Sequence, residues 1–253
     1  MLYAFMQGTP AQGGPFCAII GPIEMNLDVI APANPFLAED AGKMPAHQVV
    51  YEQVRAMILF GDLAPGQAVT IQGLTTQLSA GMTPVREALR RLIAEGALTH
   101  QGNRRVSVPI LTPDCANELG FMRKTLEPEL TRRAVMNIDA SRLAAITACD
   151  TELNRAIAHG DIGGYLTQNY RFHAMIYEAA NAPIMAATVD RLWLRFGPSL
   201  RVVCGRFGTS NLPDKHKDLL EAIGRRDPED AARAMLEDVM QGASQIETVL
   251  QDT

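Results

Sequence analysis

From His47 onward, apolar residues recur every three or four positions along most of the chain. In "VVYEQVRAMILFGDL", Val50, Val54, Met57 and Ile58 fall on one helical face, and Gly61 closes the run as a C-terminal cap does. The period breaks in "APGQAVTIQGLTTQLSAG". There Pro65-Gly66 predicts a turn, Val69 and Ile71 a short extended piece, and Leu74 and Leu78 the buried side of a short second helix. It resumes in "TPVREALRRLIAEG", with Thr83 as N-cap, Pro84 at the first helical position and Gly96 as the stop; Val85, Leu89, Leu92 and Ile93 form the apolar face. Proline suits that first position because an N–H there would have no intrahelical partner. "ALTHQGNRRVSVPIL" then reads as two short strands joined at Gln101-Gly102-Asn103.

Beyond Leu111 the helical period is unbroken except at Asp, Gly, Asn and Pro signals, which divide the chain into about six helices. The first starts at Thr112-Pro113 and carries Leu119, Met122, Leu126 and Leu130 at helical spacing. Residues 1–43, with "GTPAQGGP" and "APANP", hold neither period and read as a flexible extension, in which Met25 offers an alternative start, as Met44 does just beyond it. The expected fold is therefore mostly α: a winged helix-turn-helix over residues 44–110, then an antiparallel bundle of about six helices over 111–253.

Charge sharpens this picture. The net charge of −5 is uneven: residues 44–110 hold six Arg against four acids, residues 1–43 one Lys against four, and the remainder 16 basic against 20 acidic groups. Phosphate attraction follows local charge, so an acidic chain can bind nucleic acid through one basic segment. Arg86 and Arg90 are helical neighbours, Arg91 flanks them, and Arg104 and Arg105 follow the hairpin turn. A helix N-terminus in a major groove offers its dipole and free N–H groups to phosphate, while Arg reaches phosphates or guanine edges. The competing reading is a solvated basic face, with Glu87 or Glu95 pairing Arg86.

Cys17, Cys115, Cys149 and Cys204 show no C-x-x-C spacing, so neither a zinc ribbon nor a redox pair is expected. No run approaches the roughly 18 apolar residues of a membrane span, and no basic secretory start is present. A cytoplasmic protein without membrane partners is expected. Gly-rich phosphate loops, G-x-S-x-G and H-E-x-x-H are all absent.

Residues 47–110 resemble the winged-helix domain of GntR-family transcriptional regulators, through "VRAMILFGDLAPGQAV" and "TPVREALRRLIAEGAL". The resemblance implies operator contacts from Arg55, Thr83, Pro84, Arg86, Arg90, Arg104 and Arg105. One departure falls at the recognition helix: where the family has Ser-Arg before Thr-Pro, this chain has Gly81-Met82. The helices after Leu111 resemble the FCD domain of the FadR-like branch, which implies a small carboxylate effector, a divalent metal beside it, and a homodimer on double-stranded DNA.

In "NYRFHAMIYEAAN", Asn169 and His173 are four apart, hence on one helical face with Cβ atoms about 5–6 Å apart, near enough to share a metal. The plainer alternative is a hydrogen-bonded core histidine. The resemblance adds His216 as a second imidazole and places Asp238 where the family has a third His. A carboxylate can also ligate a divalent cation, leaving Zn, Ni, Mn or Mg open. Arg123 matches a family Arg four residues before a Glu, here Glu127, and needs an anion: that Glu or an effector carboxylate. Arg195 is a second candidate for the effector, while Trp193 and Tyr170 are expected to fill core space. The expected function is an operator-binding repressor controlled by a small organic acid. The alternative is a metal-dependent hydrolase with an accessory winged helix, resting on His173, His216 and Asp238.

Overall fold

The computed structural model describes residues 44–101, 105–208 and 215–251. The expected extension at 1–43 and the hairpin tip with Arg104 lie outside the described residues. Helix α1 (Ala46–Leu59) is followed by strand β1 (Ala68–Val69), helix α2 (Ile71–Gln77), helix α3 (Met82–Ala94) and strands β2 (Thr99–Gln101) and β3 (Arg105–Ser107). The strands form a small antiparallel sheet in the order β1-β3-β2, with Thr99 opposite Ser107 and Val69 opposite Val106. This is the winged helix-turn-helix that the period predicts.

Two local expectations need correction. Ile71 is not extended but opens α2, because Thr70 caps that helix by accepting the Gly73 amide at 3.0 Å. Thr83 is not the N-cap of α3: Gly81 takes the extended cap conformation, and Thr83 and Pro84 lie inside the first turn. Pro84 fits there at no cost, since the first-turn amides have no intrahelical acceptor. Gly96 does end α3 in the left-handed conformation, as Gly61 does after α1.

Six helices follow: α4 (Pro113–Val135), α5 (Ala140–His159), α6 (Ile162–Ala179), α7 (Pro183–Phe207), α8 (Lys215–Gly224) and α9 (Pro228–Gln251). Their starts are chemically marked. Thr112, Asp139 and Asp161 accept the amides of Cys115, Arg142 and Gly164. Leu130, Ile146, Phe172, Ile176, Leu194, Leu219, Met235 and Ile246 are sealed inside. Met122 is not: it is 40% exposed and Phe121 69%, while Arg123 and Glu127 turn inward at 3% and 0%. No described helix is long and apolar enough to cross a membrane.

The bundle and the winged helix meet where α1 lies on α7. A Cβ on Gly197 would sit 2.1 Å from the Leu59 carbonyl oxygen, so only glycine permits this approach. Gly197→Ala is expected to force α1 off α7 and cost about 1–3 kcal/mol. A urea melt with an undiminished midpoint would show that the two helices do not depend on that contact.

Candidate functional site

The basic face comes first. Arg86 and Arg90 are exposed on α3 and, with His100 and Arg105, line a groove of about 610 Å³ whose floor includes Val69, Leu89, Ile93 and Val106. None of the three arginines has an ion pair among the described residues. Neither acid that a solvated face would offer Arg86 pairs with it among the described residues. Glu87 faces His47 at 3.9 Å, and Glu95 accepts from Arg91 at 3.0 Å and from the Tyr51 hydroxyl at 2.8 Å. Arg91 lies over the Tyr51 ring at 3.6 Å and so serves packing against α1 rather than the groove. Thr83 is exposed and Pro84 half-buried at the start of the same helix.

Arg55 is not on this face. It is 1% exposed, and its Nη2 donates to Asp190 on α7 and to the Tyr170 hydroxyl on α6 at 3.2 Å. Burial alone would lower its pKa, but Tyr170 and Asp190 hold it above the ordinary arginine value. An arginine committed in this way cannot reach an operator. The expectation failed because the helical spacing that puts Val54 and Ile58 inside also turns Arg55 toward the bundle.

Inside the bundle, a cavity of about 160 Å³ is lined by Arg123, Tyr165, Asn169, Phe196, Lys215, His216 and Asp238, among others. Arg123 donates through Nε to Glu127 Oε1 at 2.5 Å and through Nη2 to Oε2 at 3.2 Å. Its guanidinium carbon lies 4.4 Å from the centre of the Trp193 ring and 4.2 Å from that of Phe196. Glu127 thus supplies the anion, while the cavity still touches the cation. Arg195 is corrected: it is exposed, and its side chain reaches within 4 Å of where a Gly96 Cβ would stand. Two residues beyond buried Trp193, it points to the other face of α7.

His173, His216 and Asp238 bring one ligand atom each within 4.8 Å of one another. The surrounding hydrogen bonds fix both imidazoles. The Tyr177 hydroxyl gives its proton to Glu127 Oε2 at 2.5 Å, so toward His173 Nδ1 at 3.1 Å it can only accept. Nδ1 of His173 therefore carries a proton, and in the neutral ring Nε2 holds the lone pair. Asp150 Oδ1 likewise accepts from His216 Nδ1 at 3.0 Å, which in the neutral ring leaves the lone pair on Nε2. Both bare nitrogens face Asp238, at 3.3 Å from His173 and 3.7 Å from His216.

His173 Nε2 is buried without a hydrogen-bond partner among the described residues. Lone pairs converging on a carboxylate repel unless a cation or a proton lies between them. These donors therefore fit a divalent ion: two imidazoles and a carboxylate, with Asn169, buried on the same face of α6, as a fourth candidate. Sequence reasoning missed Asp150 and Tyr177. Tyr177 stands four residues after His173 and was within reach of helical spacing, whereas Asp150 comes from another helix and carries no local signal.

Comparison with known proteins agrees with both halves. The bacterial regulatory protein gntR family matches residues 46–108, and the FCD domain matches residues 118–240. The chain is 29% identical over 195 residues to the HTH-type transcriptional regulator McbR of Escherichia coli K12, spanning 76% of this chain and 88% of that one. It is 21% identical over 212 residues to the HTH-type transcriptional repressor RspR of the same organism, spanning 82% and 92%. The structure of E. coli McbR/YncC superimposes with a TM-score of 0.78 at 26% identity, over 81% of this chain and 99% of that one. A putative GntR regulator from Rhodococcus sp. RHA1 shares the fold, with a TM-score of 0.66 at 22% identity over 79% and 96%.

Glu127 joins Arg123 to Tyr177 and so underlies the cavity wall. Glu127→Ala leaves a buried guanidinium without its carboxylate and is expected to cost about 3–5 kcal/mol in a urea melt. A loss below about 1 kcal/mol would mean that Trp193 and Phe196 alone accommodate the charge.

Proposed function

Because this chain belongs to the GntR family of bacterial transcriptional regulators and carries an FCD effector-binding domain, we propose that it is a homodimeric repressor whose operator affinity is set by a small organic acid. The acid would bind in the bundle beside a divalent ion. The chain is a regulator, not an enzyme: its homologues are transcriptional regulators, and the hydrolase alternative has no support. The reading divides the chain near residue 111 into a DNA-binding part and an effector-binding, dimerising part.

The observation that carries the effector site is the convergence of two bare imidazole nitrogens and Asp238 beside the Arg123 guanidinium. His173, His216, Asp238 and Asn169 would hold the ion, of which Zn, Ni and Mn suit nitrogen and oxygen donors. When bound, it supplies positive charge that draws a carboxylate. Arg123, already aligned by Glu127, adds a fixed cation to the same cavity, and Phe196 and Tyr165 bound its apolar side. The small volume of about 160 Å³ favours compact acids. On the other module, Arg86, Arg90 and Arg105 would contact the duplex, and Met82, 54% exposed at the start of α3, replaces a polar reader with an apolar one.

Two measurements test the two halves. Elemental analysis of protein purified without chelator should find about one divalent ion per chain; His173→Ala should lose it and Asp238→His should tighten zinc. Protein that stays metal-free after incubation with Zn, Ni and Mn would contradict the metal assignment. For the duplex, Arg86→Ala should lower the slope of log affinity against log salt by about 1 if Arg86 meets phosphate, or relax sequence preference if it meets a base. Unchanged binding at every salt concentration would remove Arg86 from the interface.

A further inference from the structure

The effector cavity and the DNA-binding module are joined by one continuous line of packed side chains. Arg123 lies over the Trp193 ring, and the His173 ring centre is 5.2 Å from that of Trp193. Trp193 meets Tyr170 edge-on at 5.8 Å, and Tyr170 meets Phe60, the C-terminal cap of α1, at 6.1 Å. The Tyr170 hydroxyl donates to Asp190 Oδ1 at 2.5 Å and accepts from Arg55, which itself pairs with the same Asp190 oxygen. The line therefore ends on α1, the helix that packs against the recognition helix α3.

Two donors along it are unsatisfied. Trp193 Nε1 and Arg55 Nη1 are both buried without a hydrogen-bond partner among the described residues. Each is a desolvated N–H whose hydrogen-bonding capacity is unused here, so an arrangement that satisfied it would recover part of that cost. Packed elements respond to a small displacement by switching between discrete arrangements rather than by bending. A shift of Arg123 or His173 on occupation of the cavity would press directly on Trp193.

We propose that Trp193 and Tyr170 relay occupancy of the bundle cavity to α1, with Arg55, Tyr170 and Asp190 acting as the latch that holds the winged helix in one orientation. This rests on the effector-site reading given above and adds the route by which that site acts on DNA. Asp190 and Tyr170 are positioning residues in this scheme: neither lines the cavity nor the basic groove.

Trp193 is the sole tryptophan of the chain, so its emission reports directly on the relay. The probe is Zn2+ alone, titrated into the full chain with and without a saturating duplex selected by the protein from a random-sequence pool. Coupling between two sites is reciprocal, so the ratio of the two zinc dissociation constants measures it. The unaltered chain should give a ratio about 5–150-fold from one. In Asp190→Asn and Tyr170→Phe the ratio should fall toward one while zinc still binds. Tyr170→Phe keeps the ring and the Arg55–Asp190 pair, and it decides the matter if Asp190→Asn does not fold. A ratio unchanged in the folded variants, or equal to one in the unaltered chain, overturns the relay and leaves the cavity assignment standing. Absence of zinc binding in the unaltered chain overturns the cavity assignment, and the relay with it.

Discussion

A guanidinium cannot shed its charge at any ordinary pH, so one buried in a helical bundle must meet anions or aromatic faces on every side. Arg123 imposes that demand on the whole interior. Glu127 answers it with both carboxylate oxygens, and Trp193 and Phe196 cover the remaining faces. Glu127 Oε2 accepts from the Tyr177 hydroxyl as well, so that hydroxyl can only accept from His173, whose Nδ1 carries the proton. One buried charge thus sets the lone pair that faces Asp238, four groups away. The helices are placed to serve this chain: α4 brings Arg123 and Glu127, α6 brings His173 and Tyr177, and α9 brings Asp238.

Arg55 repeats the same physics at the junction of the two modules. Its charge is met by Asp190 and Tyr170, and it lies buried on α1, the helix that closes on α7 at Gly197. A buried ion pair of this kind adds little net stability, since desolvation offsets most of the attraction, but breaking it is costly. Such a contact therefore specifies an orientation more than it strengthens a fold. The exposed arginines follow a different rule. Arg86, Arg90 and Arg105 are exposed and have no carboxylate partner among the described residues, which leaves their charge available to a polyanion.

Much of this was legible along the chain. Helical period and the stops at Gly61 and Gly96 located α1 and α3, and the strand pattern located the wing, because each of these signals is local. The six bundle helices were legible for the same reason. Met122 and Arg123 were not: the apolar member of that pair is exposed and the charged member buried, so amphipathic spacing misjudges α4 where it matters most. The convergence of His173, His216 and Asp238 could be expected only through family resemblance, since α6, α8 and α9 are far apart in sequence. Arg55 was misplaced because the resemblance assigned it to the operator, while the partners that bury it, Tyr170 and Asp190, lie more than a hundred residues away. Asp150 was invisible for the same reason of distance.

The central claim is that an acid held beside Arg123 changes the grip of the winged helix on DNA. The most direct measurement is the affinity of the full chain for its selected duplex during titration with mono-, di- and tricarboxylates from acetate to citrate, in the unaltered protein and in Arg123→Lys. The account predicts that at least one acid shifts the duplex dissociation constant of the unaltered protein, and that the shift is lost in Arg123→Lys, whose salt dependence stays unchanged. A shift that persists undiminished in Arg123→Lys would place the effector elsewhere and contradict the account.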